Sequence, residues 1–345
     1  MIGRTSAGPR PDSARHAISR REFMQSAAAA SAAIGVCSSA ASAAPAIADG
    51  SAEAAVKRLY EALSPEQRRQ VCFAWEHVDQ ERGLLRTRVA ANWHVTAPRV
   101  RSEFYTPAQQ RLVREIFEAL IQHDWIARFD KQLRDDAGGF GNQSIAIFGV
   151  PGAGKFQFVI TGRHITLRCD GGSAPEVAFG GPIFYGHAAS GFTEKVGHPG
   201  NIFWHQAVAA NTVFGMLDGK QQQMALLKTA PAESAVGFQG REGKFSGIPV
   251  SALSADQKAH VATVLEKLIE PYRQSDRDRV AGCLKAQGGL ERCALAFYEE
   301  GALGGNRVWD IWRLEGPAFA WHFRGVPHVH TWVHVADNPA VKLNA

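Results

Sequence analysis

Closely spaced histidines near the C-terminus are the residues of this sequence with the clearest capacity for chemistry. Of the 13 histidines in the chain, four fall between positions 322 and 334: His322, His328, His330 and His334. On a β-strand, residues two apart point to the same face, so His328 and His330 would present two imidazoles side by side. With a histidine from a neighbouring strand, such a pair can chelate a transition metal, with copper and zinc as the candidates. A polar strand face beside Trp321 and Trp332 is an equally good interpretation of the spacing alone.

The other two histidines of this segment give the metal hypothesis a geometric test. His322 falls on the preceding predicted strand, and it shares the face of His328 and His330 only if its directly paired partner is even-numbered. His334 lies two pleats beyond His330 on the same strand. We therefore expect His334 to lie outside the metal sphere.

A glycine-rich segment has the spacing of a nucleotide-binding loop but not its chemistry. Residues 149–156 read GVPGAGKF, and the position after Lys155, where Mg²⁺ binding needs Ser or Thr, is Phe156. A phosphate-binding loop also needs a helix at this point, whereas the aromatic and β-branched residues at 156–160 predict a strand. We expect a hairpin turn followed by a strand, and no bound nucleotide.

Other common catalytic and redox motifs do not occur. The sequence contains no G-x-S-x-G, no H-E-x-x-H and no C-x-x-C, which argues against a serine hydrolase, a zincin and a dithiol or zinc-ribbon site. Cys283 and Cys293 are close enough in sequence to form a local disulfide in an oxidising compartment, and buried free thiols are an equally good alternative.

Three segments have the sequence of a capped helix start. In each, Ser or Thr is followed three residues later by Gln: Ser64 with Gln67, Thr106 with Gln109, and Ser254 with Gln257. The two side chains of such a pair satisfy free N–H groups at a helix N-terminus. Apolar residues at helical spacing follow the second and third pairs. Further helices are expected near residues 51–63, 123–136, 201–217 and 290–298.

Two clusters of β-branched and aromatic runs bounded by glycines predict strands. They lie at residues 144–149, 156–161 and 164–169, and at residues 307–314, 318–323 and 328–335. N-terminal helices, central antiparallel strands, further helices and a C-terminal β-hairpin that completes the sheet indicate an α+β fold. No linker and no repeat period are evident, so we expect residues 44–345 to form a single domain.

Residues 1–43 have the composition of an export signal. Arg20 and Arg21 precede a weakly hydrophobic, alanine-rich run, and residues 41–43 (ASA) have the small side chains of a cleavage site. The pattern predicts export by the twin-arginine machinery, cleavage near Ala43 and a periplasmic or secreted mature protein.

The positive charge of the chain belongs largely to that segment. The formal net charge is +5, and residues 1–43 contribute five arginines against Asp12 and Glu22, a net +3, which leaves +2 for the remainder. A nucleic-acid-binding surface is therefore not indicated. No later apolar run is long enough to span a membrane. We expect no membrane contact after cleavage, and a small-molecule ligand as the partner.

Six short segments together carry a family pattern: residues 148–151 (FGVP), 156–158 (FQF), 162–164 (GRH), 182–186 (PIFYG), 312–317 (WRLEGP) and 328–331 (HVHT). They resemble a bacterial family, the domain-of-unknown-function family numbered 3500, over most of the chain from about residue 50. The segment 182–186 is similar to a P-x-F-x-G turn of that family. Arg163 replaces the first histidine of the family's G-H-H, and His322 stands near a position where members have Glu.

The resemblance strengthens the case for a site and leaves the reaction open. The metal ligands would converge from separate strands on one ion: His164, His328, His330 and, as the fourth ligand or an acid–base group, His322. Glu315 could orient one imidazole as an outer carboxylate. Arg313 is expected to be a buried, paired cation that is structural or orients substrate. His322, Arg313 and Glu315 are thus the candidate catalytic residues.

Two functions of different classes fit these residues. In the first, an open coordination position makes the protein a metalloenzyme that performs hydrolytic or oxidative chemistry. In the second, the protein is a non-catalytic periplasmic binder of a metal or of a small ligand held on aromatic side chains. Turnover by the metal-loaded protein separates the two.

Overall fold

Helices and strands alternate along the chain in the computed structural model, which describes residues 51–189, 198, 200–300 and 308–344. The helices are α1 Ala52–Ala62, α2 Pro65–Val71, α3 Pro107–Ala119, α4 His123–Ala137, α5 Trp204–Met216, α6 Gly219–Ala225, α7 Ala255–Ile269 and α8 Gln274–Ala286. The strands are β1 Cys72–Phe73, β2 Val78–Asp79, β3 Gly83–Leu84, β4 Ser144–Gly149, β5 Phe156–Gly162, β6 Ile165–Cys169, β7 Ile183–His187, β8 Leu226–Leu227, β9 Ile248–Pro249, β10 Ala294–Tyr298, β11 Ile311–Gly316, β12 Phe319–Arg324 and β13 Val329–Val335. The expected α+β class is confirmed.

The described residues belong to one compact unit, Pro45–Ala345. The export signal predicted at residues 1–43 lies outside the described residues. None of the described helices is both long enough and apolar enough to cross a membrane.

The capped helix starts form as the sequence predicts. Ser64, Thr106 and Ser254 each accept a hydrogen bond from the backbone N–H of the Gln three residues on, and each Gln side chain bonds back to the cap residue. These capping boxes fix where α2, α3 and α7 begin. Helix α4 ends at Gly138, whose left-handed conformation is one that glycine adopts without strain.

Both strand clusters lie in one large sheet, as a shared metal site requires. The strand order is β1-β4-β5-β6-β7-β13-β12-β11-β10-β8, with β9 paired to β10. The C-terminal strands lie inside the sheet and not at its edge. Strand β13 pairs antiparallel with β7 and joins the two clusters at the centre of the sheet. Strands β1 and β8 are the parallel neighbours, of β4 and β10 respectively.

The order of elements repeats within the chain, although the sequence shows no repeat period. Residues 52–187 and 204–335 each run through two helices, two or three short strands, two further helices and four strands. In both halves the first short strand pairs in parallel with the first of the four strands. The two halves meet where β7 and β13 pair near the middle of the sheet. The fold is therefore built from two similarly arranged halves.

Pairs of hydrogen-bonded glutamines, one buried and one half-buried in each pair, repeat in the same way. Gln67 and Gln109 donate to each other at 2.8–2.9 Å, and Gln109 also donates to the last carbonyl of α1. Gln221 and Gln257 do the same at 2.8–3.2 Å, and Gln257 donates to the last carbonyl of α5. Each pair joins two helices of its own half, which supports the correspondence between the halves.

Two local predictions are wrong. Residues 290–298 form a short 3-10 turn, Leu290–Arg292, and then strand β10, not a helix. β10 is buried and pairs with β11, β8 and β9, and these pairings outweigh the helix propensity of its Ala and Leu residues. Residues 182–186 do not form a turn but most of β7, a fully buried central strand.

The glycine-rich segment before β5 is a hairpin turn, as predicted. The N–H of Val150 donates to the carbonyl of Lys155 at 3.2 Å, and β5 begins at Phe156 with no helix to cradle a phosphate. Cys283 and Cys293 are both buried free thiols, which decides between the two alternatives left open by their spacing. Burial raises the pKa of each thiol to about 12.

Candidate metal centre

Three of the predicted histidines converge. Nε2 of His330 lies 3.0 Å from Nε2 of His328 and 3.1 Å from Nε2 of His164. Among the described residues, these three form a group whose ligand atoms all lie within 4.8 Å of one another. Their exposed fractions are 3% for His164, 7% for His328 and 9% for His330. The three side chains thus come together as the sequence predicts, although His164 lies in the turn between β5 and β6 and not on a strand, and the bound metal stays a prediction.

The sheet register brings these side chains to one face. His330 on β13 is directly paired with Gly186 on β7 and with Arg324 on β12. His328 immediately precedes β13, and it points to the same side because its Nε2 lies 3.0 Å from Nε2 of His330. Gly186 carries no side chain, and a Cβ there would lie 2.3 Å from the carbonyl oxygen of Val329 and 3.4 Å from Cβ of His164. A glycine at this position leaves room for His164 beside His330.

His164 reaches the group from the two-residue turn between β5 and β6. Its φ is +58°, in the left-handed region that non-glycine residues seldom occupy. The backbone is held there on both sides, since its N–H donates to the carbonyl of Ala91 and its carbonyl accepts from the N–H of Gly186, both at 3.1 Å. A strained conformation fixed in this way is characteristic of functional sites.

Two of the three imidazoles are backed by carboxylates. Nδ1 of His164 lies 3.0 Å from Oδ2 of Asp136, and Nδ1 of His330 lies 3.2 Å from both oxygens of Glu233. Burial alone would raise the pKa of the Asp136 carboxyl, but its contacts with His164 and Gln132 hold that pKa below its usual value. The pKa of Glu233 is likewise lowered against burial, by His330 and Arg324. Both carboxylates therefore stay ionised at neutral pH.

The spacing of the ring nitrogens suits a shared cation where the three rings meet. A neutral imidazole carries one ring proton, and the contact with Glu233 favours that proton on Nδ1 of His330. Burial lowers the pKa of His330, which favours its neutral form. Nε2 of His330 is then an unprotonated acceptor 3.1 Å from Nε2 of His164, and a proton or a metal ion between the two nitrogens would stabilise this approach. Nitrogen ligands about 2.0–2.1 Å from one ion, at angles of about 95–110°, lie about 3.0–3.4 Å apart.

His322 shares the face of the group but lies outside it. Its directly paired partner is Trp332, an even-numbered residue, which satisfies the register condition. Nδ1 of His322 nevertheless accepts a hydrogen bond from Nε of Arg313 at 3.2 Å, and the ring is not part of the three-histidine group. Burial and the charge of Arg313 lower its pKa to about 3. In this arrangement His322 is a neutral acceptor for Arg313 and is not among the grouped ligand atoms, and its acid–base role stays a prediction.

Arg313 and Glu315 are buried but do not contact the clustered ring nitrogens of His164, His328 and His330. Arg313 is 4% exposed and paired, as expected, through His322 and backbone carbonyls. Glu315 accepts from Gln239 at 3.0 Å and lies 3.7 Å from Arg313. The outer carboxylates are therefore Asp136 and Glu233, not Glu315.

His334 lies outside the group, as predicted. Its Nδ1 lies 3.2 Å from the carbonyl oxygen of Val236, and its ring stacks on Phe238 with centroids 3.8 Å apart. It therefore serves the packing of the strand face, and it is a natural control for the histidines of the group.

The second half of the fold has no counterpart of His164. Its equivalent turn joins β11 to β12, where Gly316 pairs with Phe319 just as Gly162 pairs with Ile165 in the first half. That turn carries Ala318, which packs in an apolar cluster. The histidine group thus draws on both halves, with His164 from the first and His328 and His330 from the second.

The sequence motifs pointed to neither Asp136 nor Glu233, and only Asp136 stands out in its local sequence. Asp136 continues the helical spacing of the buried residues Trp125, Phe129 and Gln132 along α4, so a carboxylate falls on the apolar face of a helix. A charge at such a position is rarely buried without a partner. Glu233 lies in an irregular segment, and nothing in its local sequence distinguishes it.

A family comparison agrees with this architecture. The model of a family described as a protein of unknown function, DUF3500, matches residues 47–337, which include every element from α1 to β13. The chain belongs to this family. No curated protein and no solved structure matches it. The DUF3500 match includes all three histidines and both carboxylates, so the site is part of the family domain.

Proposed function

We propose that this DUF3500 protein is an exported zinc-dependent hydrolase whose metal is held by His164, His328 and His330. The observation that carries the proposal is the convergence of three Nε2 atoms, two of them on rings whose Nδ1 atoms face carboxylates. Three imidazoles with a remaining open position are a ligand set of catalytic zinc, and carboxylates behind the rings fix their tautomer and raise their basicity.

The residues present fit such an ion. Histidine nitrogens suit zinc and copper, and the two carboxylates offset the charge of a divalent cation. When bound, zinc supplies Lewis acidity and ionises water near neutral pH. The chain itself holds the ring orientations, through Asp136 and Glu233, and restricts water through the burial of all three rings.

Metal content and hydrolysis together test the proposal. Purified protein is expected to contain one zinc per chain by elemental analysis and to hydrolyse members of an ester and phosphoester panel. Chelation should remove this activity and added zinc should restore it. His330→Ala is expected to lose both metal and activity, whereas His334→Gln, on the same strand and face, retains both. Copper in place of zinc, or no stoichiometric metal, contradicts the proposal.

A non-catalytic metal-binding protein is the second candidate, and the low exposure of the site favours it. At 3–9% exposure the three histidines leave little surface for a substrate. In this case zinc is present and is lost in His330→Ala, but no panel compound is turned over by the loaded protein. The metal assay and the turnover assay therefore separate the two functions.

Export rests on the twin-arginine pattern at Arg20 and Arg21. That route carries proteins that are already folded, which suits a metal loaded before translocation. Replacing both arginines by lysine is expected to leave the protein in the cytoplasm, as measured by cell fractionation. Unchanged export in this variant contradicts the proposal without affecting the metal site.

A further inference from the structure

We infer that Arg313 is a positioning residue that holds the turn 232–235 in place and thereby keeps Glu233 against His330. The effect of Arg313 on metal affinity rests on the proposed function, whereas its hydrogen bonds to the turn 232–235 do not. Arg313 lies two strands away from His330 and contacts none of the three metal-binding nitrogens.

The guanidinium of Arg313 donates hydrogen bonds to the backbone on both sides of Glu233. Nη2 donates to the carbonyl of Ala232 at 3.3 Å, and Nη1 donates to the carbonyl of Ala235 at 2.7 Å. The N–H of Ala235 donates to the carbonyl of Ala232 at 2.9 Å, which closes the turn. Glu233 lies inside this turn, so the position of its Cα is fixed by hydrogen bonds from Arg313, a side chain of β11.

Glu233 is placed by the turn and not by helix or strand structure. Its carboxylate lies 3.2 Å from Nδ1 of His330 and 3.2 Å from Nε of Arg324. No described helix or strand includes residues 232–236, whose other anchors are the burial of Val236 in an apolar cluster and the contact of its carbonyl with His334. Arg313 is therefore the side chain that holds the backbone nearest to Glu233.

His322 fixes the orientation of Arg313. Nε of Arg313 donates to Nδ1 of His322 at 3.2 Å, and this uses the third direction of the planar guanidinium. The planar guanidinium of Arg313 thus donates hydrogen bonds to two backbone carbonyls and one imidazole nitrogen. Lysine cannot reproduce this, because its ammonium is a compact point donor on a flexible chain.

The test pairs Arg313→Met with Arg273→Met. Arg273 is a half-buried arginine that is bound to Glu53 and Asp276 and has no contact with the histidine group. Both variants are expected to lower thermal stability, so a difference between them at the metal centre is not a general effect of unfolding.

The readout that needs no metal is the ring N–H of His330 in metal-free protein, observed by ¹⁵N-edited NMR. In wild type and Arg273→Met, a proton bound to Nδ1 and protected from exchange is expected. In Arg313→Met and in Glu233→Ala, its exchange with water should be at least about tenfold faster. Absence of the protected proton in wild type, or its full retention in Arg313→Met, overturns the inference.

The second readout is zinc affinity in a double-mutant cycle. Arg313→Met and Glu233→Ala should each weaken zinc binding by about 10- to 100-fold, as loss of an outer partner does. If Arg313 acts through Glu233, the double variant binds zinc no more weakly than Glu233→Ala alone. Additive losses of zinc affinity in the double variant would overturn the inference without contradicting the proposed zinc site. A wild type that binds no zinc overturns the proposed function, and the ring proton still decides whether Arg313 positions Glu233.

Discussion

Nδ1 of His164 lies 3.0 Å from Oδ2 of Asp136, while Nε2 of the same ring faces His330. The contact joins the C-terminal part of α4 to the turn between β5 and β6. Asp136 is further fixed by Gln132 at 3.0 Å and by the N–H of Ala188 at 2.8 Å. A buried carboxylate that accepts hydrogen bonds from Gln132 and Ala188 thus places its negative charge beside Nδ1 of one candidate metal ligand.

Asparagine in place of Asp136 is expected to weaken zinc binding by about 10- to 100-fold, because the amide no longer provides the negative charge behind His164. The matched control is Asp135→Asn, since Asp135 contacts His187 and Lys131 and not the histidine group. Its zinc affinity should stay close to that of wild type. Competition with a chromogenic chelator measures both, and equal losses in the two variants would show that Asp136 has no special role.

His164→Gly and His164→Ala are expected to lose zinc equally but to differ in stability. The φ of +58° at this position costs alanine about 1 kcal/mol more than glycine. Urea unfolding of the two metal-free variants measures the difference. An alanine variant as stable as the glycine variant would mean that the turn relaxes and that the left-handed conformation is not enforced by the bonds to Ala91 and Gly186.

Gly186→Ala is expected to lower the free energy of unfolding by at least about 2 kcal/mol, because its Cβ would lie 2.3 Å from the backbone oxygen of Val329 in a paired strand. Zinc affinity should fall as well, since His164 packs over the same residue. Gly215→Ala is the control: it lies near the end of α5 with nothing within 4 Å of the added Cβ, so stability should rise by up to about 1 kcal/mol. Gly186→Ala with wild-type stability and affinity would contradict the close approach.

Buried His334 is expected to make the protein less stable as the pH falls from about 6.5 to about 4. Burial lowers its folded-state pKa to about 4, so over this range the unfolded chain binds more protons and stability rises with pH. His334→Gln should make the slope shallower by up to about 1.4 kcal/mol per pH unit. Denaturant unfolding at several pH values tests this, and an unchanged slope would mean that the ring is protonated within the fold.

Local patterns in the sequence predicted the helix starts and most strands, because each depends on neighbouring residues. The pairs beginning at Ser64, Thr106 and Ser254 each form a capping box without help from the rest of the chain. Residues 290–298 show the limit of this approach. Their structure is decided by strands that are distant in sequence, and those pairings turn a helical pattern into β10.

The three-histidine group was predictable in part, because some of its geometry also depends on neighbouring residues. His328 and His330 share a face by strand geometry alone, and the family pattern pointed to His164. The role of His322 could not be predicted, because an acceptable register leaves it beside Arg313 and not beside His330. Glu233 could not be predicted either, since its position depends on a turn held from a distant strand.

The most direct test of the zinc centre is X-ray absorption at the zinc edge, measured on purified protein and on the His322→Gln and His330→Ala variants. The wild-type spectrum is expected to show three imidazole nitrogens about 2.0–2.1 Å from zinc and no sulfur. His322→Gln should leave that count at three, and His330→Ala should abolish the zinc signal. Four imidazoles in wild type that become three in His322→Gln, or a zinc signal that survives in His330→Ala, would contradict a centre built from His164, His328 and His330.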